Sequence, residues 1–325
     1  GIISAFVDNV ATVLMVAPVA LAICKKLNTN PVPFIIGIAV SSNLQGAATL
    51  VGDTTAIMLG SYADMSFLDF FWYKGRPGIF FAVELGAVAS ALILAWLFRK
   101  EKKPIDRATQ LTPVTDYVPT VLLAGMIVLL ISASFLPSKP DITNGLICVT
   151  LFVIGMVYTY VRTRKTEAFT GPIKSIDFET IGLLLGLFLV IGGITHMGVV
   201  DAAAGLLAKM GGGNVFLIYT VIVWASVLFS AFIDNIPYVA TMLPVVTGLA
   251  STLGIDPTLL YFGLLSGATL GGNMTPIGAS ANIAGIGILR REGYEVKTGD
   301  FCRIGIPFTL AAVIPAYIYF WVVFA

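Results

Sequence analysis

Charge is scarce in this chain. Only 11% of its 325 residues are Asp, Glu, Lys or Arg, against about 25% in an ordinary soluble domain. The 19 basic and 18 acidic residues leave a net charge of +1, which excludes the basic face of a nucleic-acid-binding protein. Histidine occurs once, at His196, and cysteine three times, at Cys24, Cys148 and Cys302. The thiols lie far apart in no CxxC or zinc spacing and read as core or lipid-facing residues. One imidazole cannot build a metal centre. There is no GxxxxGK[ST] loop, so the chain carries no ATP engine of its own; a separate ATPase subunit stays open. No nucleophile is paired with a base, which counts against an enzyme. No basic n-region stands at Gly1, so no signal peptide is expected. The Asn273-Met274-Thr275 sequon lies in an apolar stretch and reads as accidental.

What is abundant is apolar length, at 57% hydrophobic residues. A bilayer core needs about 20 apolar residues per helix, and segments 77–98, 117–136, 142–161, 181–200 and 305–324 supply them. Two longer segments, 33–60 and 258–289, are broken in the middle by Gly, Asn, Thr and Ser. The expected fold is an all-α polytopic membrane protein, embedded in the lipid bilayer.

The remaining apolar stretches, 2–24 and 215–250, share a phrase. "SAFVDN" begins at Ser4 and "SAFIDN" at Ser230. A shift of 226 residues also superposes Pro18 on Pro244, Pro31 on Pro257, Gly37 on Gly263, Gly46 on Gly272, Thr49 on Thr275 and Gly52 on Gly278. Positions 4–60 hold 16 identities in 57. The chain reads as an internal duplication, residues 1–110 and 111–325. Five crossings separate the phrases, an odd number, so the repeats are expected to be inverted. Inverted repeats are a signature of secondary transporters, with the site near the midplane. Loops at 25–26, 99–107, 162–174 and 290–303 hold 15 of the 19 Lys and Arg, which places them in the cytoplasm. Both phrases then sit at tips of re-entrant hairpins. The second repeat has about 115 residues ahead of its phrase and the first has three, so an N-terminal portion of about three spans is expected to be missing.

An ionised aspartate at mid-membrane costs ~2.5–3.5 kcal/mol, and the phrase brings two, Asp8 and Asp234. One reason is capping of the returning helix. The other is that a turn inside the bilayer survives only when buried or lining a wet cavity, where a carboxylate holds Na⁺ or H⁺. The two roles can coexist, with Asn9 or Asn235 capping while the Asp binds the ion. The breaks, "SNLQGAATLVGDTT" (42–55) and "LGGNMTPIGASAN" (270–282), gather small hydroxyls and amides where helix propensity fails. Gly263, Gly267 and Gly271 also allow GxxxG-type packing, but packing does not explain the clustered Asn and Thr. The repeats differ: Asp53 faces Ala279 in the alignment, while Asn282 faces Ala56 and Asn273 faces Ala47. The first half-site is more acidic and suits a cation, leaving the amide-rich second for solute. Glu84 reads as either a proton relay or a helix-facing carboxylate, His196 as a hydrogen-bonded structural residue, and Asp177 and Glu179 as helix N-terminal charges.

"SAFVDNVATVLMVAPVA", followed by "NPVPFIIGIAVSSNLQGAATLVGDTTAIMLGS", resembles the ion transporter superfamily, in the branch of arsenite/antimonite efflux permeases, NhaD-type sodium/proton antiporters and the melanosomal P protein. Dicarboxylate and citrate carriers are more distant relatives. "IDFETIGLLLGLFLVIGGITHMGVV" (176–200) resembles the span preceding the second hairpin there. The resemblance implies two inverted repeats, each with a re-entrant hairpin and an unwound helix, a scaffold part and a moving part, and a homodimer. It implies a site at Asp8, Asn9, Asn43, Thr49, Gly52, Asp53, Thr54, Asp234, Asn235, Asn273, Thr275, Gly278, Ser280 and Asn282, with Na⁺ at Asp8 and Asp53 or at Asp234, and no cofactor besides a coupling Na⁺ or H⁺. The tips read Asp-Asn-Val and Asp-Asn-Ile where dicarboxylate carriers have Ser-Asn-Thr, which counts against dicarboxylates. "GDTTA" (52–56) stands where close relatives often read Gly-Asp-Pro-Pro-Asn.

The expected function is secondary active transport of a small inorganic ion, oxyanion or metalloid, coupled to H⁺ or Na⁺ by an elevator-type motion in a prokaryotic plasma membrane. The alternatives are a citrate or dicarboxylate carrier and an ion channel on the same frame.

Overall fold

A computed structural model of the chain describes residues 1–99, 116–136, 140, 142–174, 176 and 178–325. A short 3-10 turn, Ile2–Ala5, leads into α1 (Asn9–Lys26), α2 (Val32–Gly46), α3 (Thr54–Tyr62) and α4 (Ile79–Leu97). Then come α5 (Val118–Ser134), α6 (Thr143–Thr163), α7 (Glu167–Lys174), α8 (Phe178–His196) and α9 (Val199–Gly211). The chain closes with α10 (Val215–Ser230), α11 (Asn235–Leu253), α12 (Thr258–Gly271), α13 (Ser280–Arg291) and α14 (Thr298–Phe324). A two-residue hairpin, β1 (Trp72–Tyr73) and β2 (Arg76–Pro77), turns through Lys74 and Gly75, both at positive φ. The sequence reading had no strand there.

Among the described residues, α1, α4, α6, α11 and α14 are long and apolar enough to cross a bilayer, and a bent pair at α8–α9 makes up to six. The expected span 181–200 is corrected at its end. Gly198, at φ +74°, stops α8 at His196, and α9 leaves at 69°. Both expected broken spans are broken: α2 stops at Gly46 and α3 starts at Thr54, while α12 stops at Gly271 and α13 starts at Ser280. In α12 every residue is buried. Gly263, Gly267 and Gly271 bring it against α10, since a Cβ at each would fall within 2.7 Å of Tyr219, of the Val223 carbonyl and of the Val227 backbone. These glycines are packing residues. No residue of α6 is buried, as suits a helix facing lipid. The expectations for the basic run beyond Arg99, for Asp177, for the Glu179 side chain and for the boundary near 110 lie outside the described residues.

The same local geometry occurs twice, 226 residues apart. Asp8 precedes α1 at φ −43°, ψ 141°, and Asp234 precedes α11 at φ −51°, ψ 138°. Asp53 precedes α3 at φ −147°, ψ 149°, and Ala279 precedes α13 at φ −150°, ψ 144°. The two sets then cross: α1 packs on α13, and α11 packs on α3. Two ion pairs lie beyond the crossings: Lys25 near the end of α1 with Glu292 just past α13, and Lys74 in the hairpin turn with Asp256 between α11 and α12 (2.6 Å). Partial burial alone would lower the Lys74 ammonium, but the Asp256 carboxylate outweighs it and raises it above its ordinary value. In the same way burial would raise the Asp256 carboxyl, yet hydrogen bonds from Lys74 and Thr258 hold it below its ordinary value.

The crossing fixes the centre of the molecule. The last turns of α4 and α14 mark its ends: Phe98 rests on Phe34 near the start of α2, at 5.2 Å between rings, and Phe324 rests on Phe262 near the start of α12, also at 5.2 Å. Between them lie two helix breaks and two phrase turns, packed together.

Candidate functional site

Each break is clamped to the phrase turn of its own repeat. The Thr49 hydroxyl donates to the Ala5 carbonyl, and the Thr275 hydroxyl to the Ala231 carbonyl. Gly52 and Gly278 permit this closeness. A Cβ at Gly52 would lie 2.6 Å from the Gly46 oxygen and 2.8 Å from the Ser4 oxygen; at Gly278 it would lie 2.6 Å from the Gly272 oxygen and 2.7 Å from the Ser230 oxygen. These four residues therefore hold backbone to backbone, with the two threonine hydroxyls bonded to carbonyls.

The capping division is the reverse of the expected one. Asp8 accepts from the Ala11 amide at 3.1 Å and Asp234 from the Ile236 amide at 3.0 Å. Each carboxylate thus faces the positive end of its helix, α1 or α11. Asn9 and Asn235, which follow them, point inward and are buried. The reason is register: one residue past the cap, a side chain has already rotated onto the inner face of the helix. Asp234 also accepts from Ser280 Oγ at 2.8 Å.

Two buried clusters result, one on each side of the crossing. On the first side Asn9 Nδ2 donates to Asn43 Oδ1 at 2.9 Å, and Asn43 Nδ2 donates to Asn273 Oδ1 at 2.8 Å and Asn282 Oδ1 at 3.0 Å. Asn273 Nδ2 goes on to the Val40 carbonyl, and Asn282 Nδ2 to the carbonyls of Gly272 and Thr275. Ser42 bridges Ser4 and the Asn9 carbonyl, both at 2.9 Å. On the second side stands Asp53, 3% exposed. Its Oδ2 accepts from Thr55 Oγ1 at 2.9 Å and, at a long 3.4 Å, from Asn235 Nδ2; Thr55 also meets Thr269 at 2.8 Å. Asp8 and Asp234 lie within electrostatic reach of Asp53. No Lys or Arg stands in either phrase or either break. Among the described residues, no group of three or more His, Cys, Asp and Glu is arranged to hold a metal ion. Thr54 is half-buried and opens on a cavity of about 410 Å³ between α3, α8 and α11, lined also by Met58, Ser61 and Tyr62.

Comparison with known proteins now bears on what crosses here. The family profile described as Citrate transporter matches residues 1–264 and 146–325. The chain belongs to the citrate transporter family. An uncharacterized transporter of Mycobacterium tuberculosis is 31% identical over 325 residues, covering 98% of this chain and 74% of the relative. A second from that organism is 33% identical, covering 98% and 73%. The human P protein is 28% identical over 382 residues, covering 94% of this chain and 46% of the relative, which agrees with the superfamily branch the motifs resemble. The protein is a multi-pass integral membrane transporter and not an enzyme, and its mycobacterial and cyanobacterial relatives agree with a prokaryotic plasma membrane.

In this citrate transporter family chain the structure brings together Asn9, Asn43, Asn273 and Asn282, and separately Asp53 and Asn235. Asp8, Asp234, Thr54 and Ser280 form a more accessible rim. Thr49, Gly52, Thr275 and Gly278 form the clamps. Sequence reasoning included Ser42 only as the start of the first break, and did not single out Ser4, Thr55 or Thr269. Thr269 was within reach of the 226-residue shift, being the counterpart of Asn43. His196 is exposed at the end of α8, and among the described residues its imidazole makes no hydrogen bond, unlike the structural bonding expected of it. Glu84 is half-buried in α4 without an ion pair among the described residues.

Proposed function

We propose that the protein is a secondary active transporter in which Asp53 carries the coupling H⁺ or Na⁺. The single observation behind this reading is a buried carboxylate served only by hydroxyl and amide donors. An ionised carboxylate in the bilayer interior is costly without a partner, so Asp53 is occupied by a proton or a monovalent cation whenever its side of the crossing is closed. The solute binds beside it, at the rim of Thr54, Ser280 and the caps, where the N-termini of α3 and α13 offer unpaired amides. A site with three carboxylates and no Lys or Arg favours a small inorganic cation, a neutral metalloid, or an oxyanion held by amides. The family's description favours a second reading, a citrate-like carboxylate, which would need the helix N-termini to carry its charge. The crossed repeats support an inverted frame working by an elevator-type motion.

The test is flux in proteoliposomes, with arsenite, citrate or Na⁺ offered under an imposed pH gradient. Saturable, gradient-driven uptake of one solute is expected for the parent, and Asp53→Asn is expected to lose the dependence on the gradient. Gradient-driven uptake that survives in Asp53→Asn refutes the reading. Unsaturable flux rising steeply with voltage would make the protein a channel.

A further inference from the structure

The two sides of the crossing are built on one backbone plan yet are finished differently. Asp53 and Ala279 occupy matching positions with nearly the same φ and ψ. Each packs its Cβ over a glycine: a Cβ at Gly46 would lie 3.0 Å from that of Asp53, and one at Gly272 would lie 3.2 Å from that of Ala279. Position 279 is therefore shaped like position 53 and lacks only the carboxyl.

The exchanges around the pair are consistent with one another. Where the first repeat has Asp53 and Thr55, the second has Ala279 and Ala281; where the second has Asn273 and Asn282, the first has Ala47 and Ala56. The outcome is a difference in satisfaction. On the Ala279 side Asn43, Asn273 and Asn282 spend their groups on one another and on carbonyls, and Ser4 and Ser42 bond each other. On the Asp53 side Ser230, the counterpart of Ser4, is fully buried with no side-chain hydrogen-bond partner among the described residues. Its would-be partner, the counterpart of Ser42, is Ala268. A buried hydroxyl without a partner costs stability unless something fills the place. The hydroxyl of Ser230 is left over beside the carboxylate, whereas the asparagines facing Ala279 are all paired; the unpaired acceptor of that half, Gln45 Oε1 in α2, packs against Gly1 outside their network.

We infer that the protein binds one coupling cation per chain, on the Asp53 side, and that the repeat-related position at Ala279 is a second cation site silenced by loss of its carboxyl and filled by the asparagine network. This rests on the reading of Asp53 given above. The filled side then serves as a fixed joint between α2 and α13, while the Asp53 side is the one that opens and closes around its ion.

The test counts cations on the purified full chain in detergent with no solute added. Radioactive sodium retention reads bound Na⁺, and the infrared band of a protonated carboxyl in a dry environment reads bound H⁺. One cation per chain is expected for the parent and none for Asp53→Asn. The double variant Ala279→Asp/Asn282→Ala, which copies Asp53 and Ala56, is expected to bind two. Two cations in the parent overturn the inference, as does a double variant that keeps the parent's thermal stability and binds only one. One cation that survives Asp53→Asn instead overturns the role of Asp53, and none in the parent overturns both. If the double variant does not fold, the parent's count alone decides.

Discussion

Gly278→Ala isolates the clamp between break and phrase turn. Gly278 has no positive φ, so alanine suffers no backbone strain and the whole effect is steric. The new methyl would meet three carbonyl oxygens, those of Gly272, Ser230 and Ala231, at 2.6, 2.7 and 2.9 Å. Real Cβ atoms do not approach that closely, and none of the three neighbours is a side chain able to turn away. Overpacking of this kind costs about 1–3 kcal/mol, and rigid backbone on every side puts the expected cost at the upper end. At about 2–4 °C per kcal/mol, thermal unfolding in detergent should fall by several degrees. Gly52→Ala meets the same three kinds of oxygen at 2.6, 2.8 and 3.0 Å, so it should cost the same within about 0.5 kcal/mol, the limit to which independent effects are usually compared. The control is Gly287→Ala in α13, with nothing within 4 Å, which should gain about 0.5–1 kcal/mol from helix propensity. Unchanged melting in Gly278→Ala, or a large inequality between the two clamp variants, would refute the reasoning.

The asparagine hub gives a second expectation. Asn43→Ala strands the carboxamides of Asn9, Asn273 and Asn282 and should cost about 3–5 kcal/mol, from buried groups left unpaired at ~1–3 kcal/mol each with some relaxation; Asn43→Thr, copying Thr269, should cost less in the same melt. Asp8→Ala and Asp234→Ala should each lose about 1 kcal/mol as caps are removed, while Asn at either position keeps the cap and melts within ~0.5 kcal/mol of the parent; equal losses for Asn and Ala would show that the charge matters and not the cap. The Lys74–Asp256 pair is exposed and should contribute only ~0.2–1 kcal/mol, falling with added salt. Because the folded Asp256 carboxyl is held below its ordinary value, that contribution is present at neutral pH and is lost as pH falls below the ordinary carboxylate range and through the lowered folded value. Asp256→Asn should abolish this acid dependence, and an unaltered pH profile would count against the pair.

Much of the architecture was legible because it rests on composition and periodicity. Apolar runs of bilayer length, glycine-broken segments and a 226-residue echo are local or additive signals, and each reappears as a helix, a break or a matched pair of caps. The site was legible less evenly. Asp8 and Asp234 stood out as charges in apolar sequence, and Asp53 as an aspartate without a counterpart. Which of them would be buried could not be read, because Asp8 and Asp53 look alike in sequence and differ in what packs over them. Thr55 and Thr269 gave only weak signals, one as a member of a polar break and the other as the counterpart of Asn43, since a threonine in a membrane segment is ordinary until another helix brings its hydroxyl to a carboxylate.

By itself the sequence determined that this chain is a membrane-embedded bundle built from two related halves, because burial of 57% hydrophobic residues and the repeat of turn-forming residues leave no other course. Only the tertiary structure decided that α1 crosses to α13 and α11 to α3, and that one side gathers an asparagine network while the other holds a lone carboxylate. Those outcomes depend on contacts between residues 180 to 240 positions apart, such as Asn235 with Asp53 and Asn43 with Asn282. No local propensity encodes such contacts, and they exist only once both halves have packed.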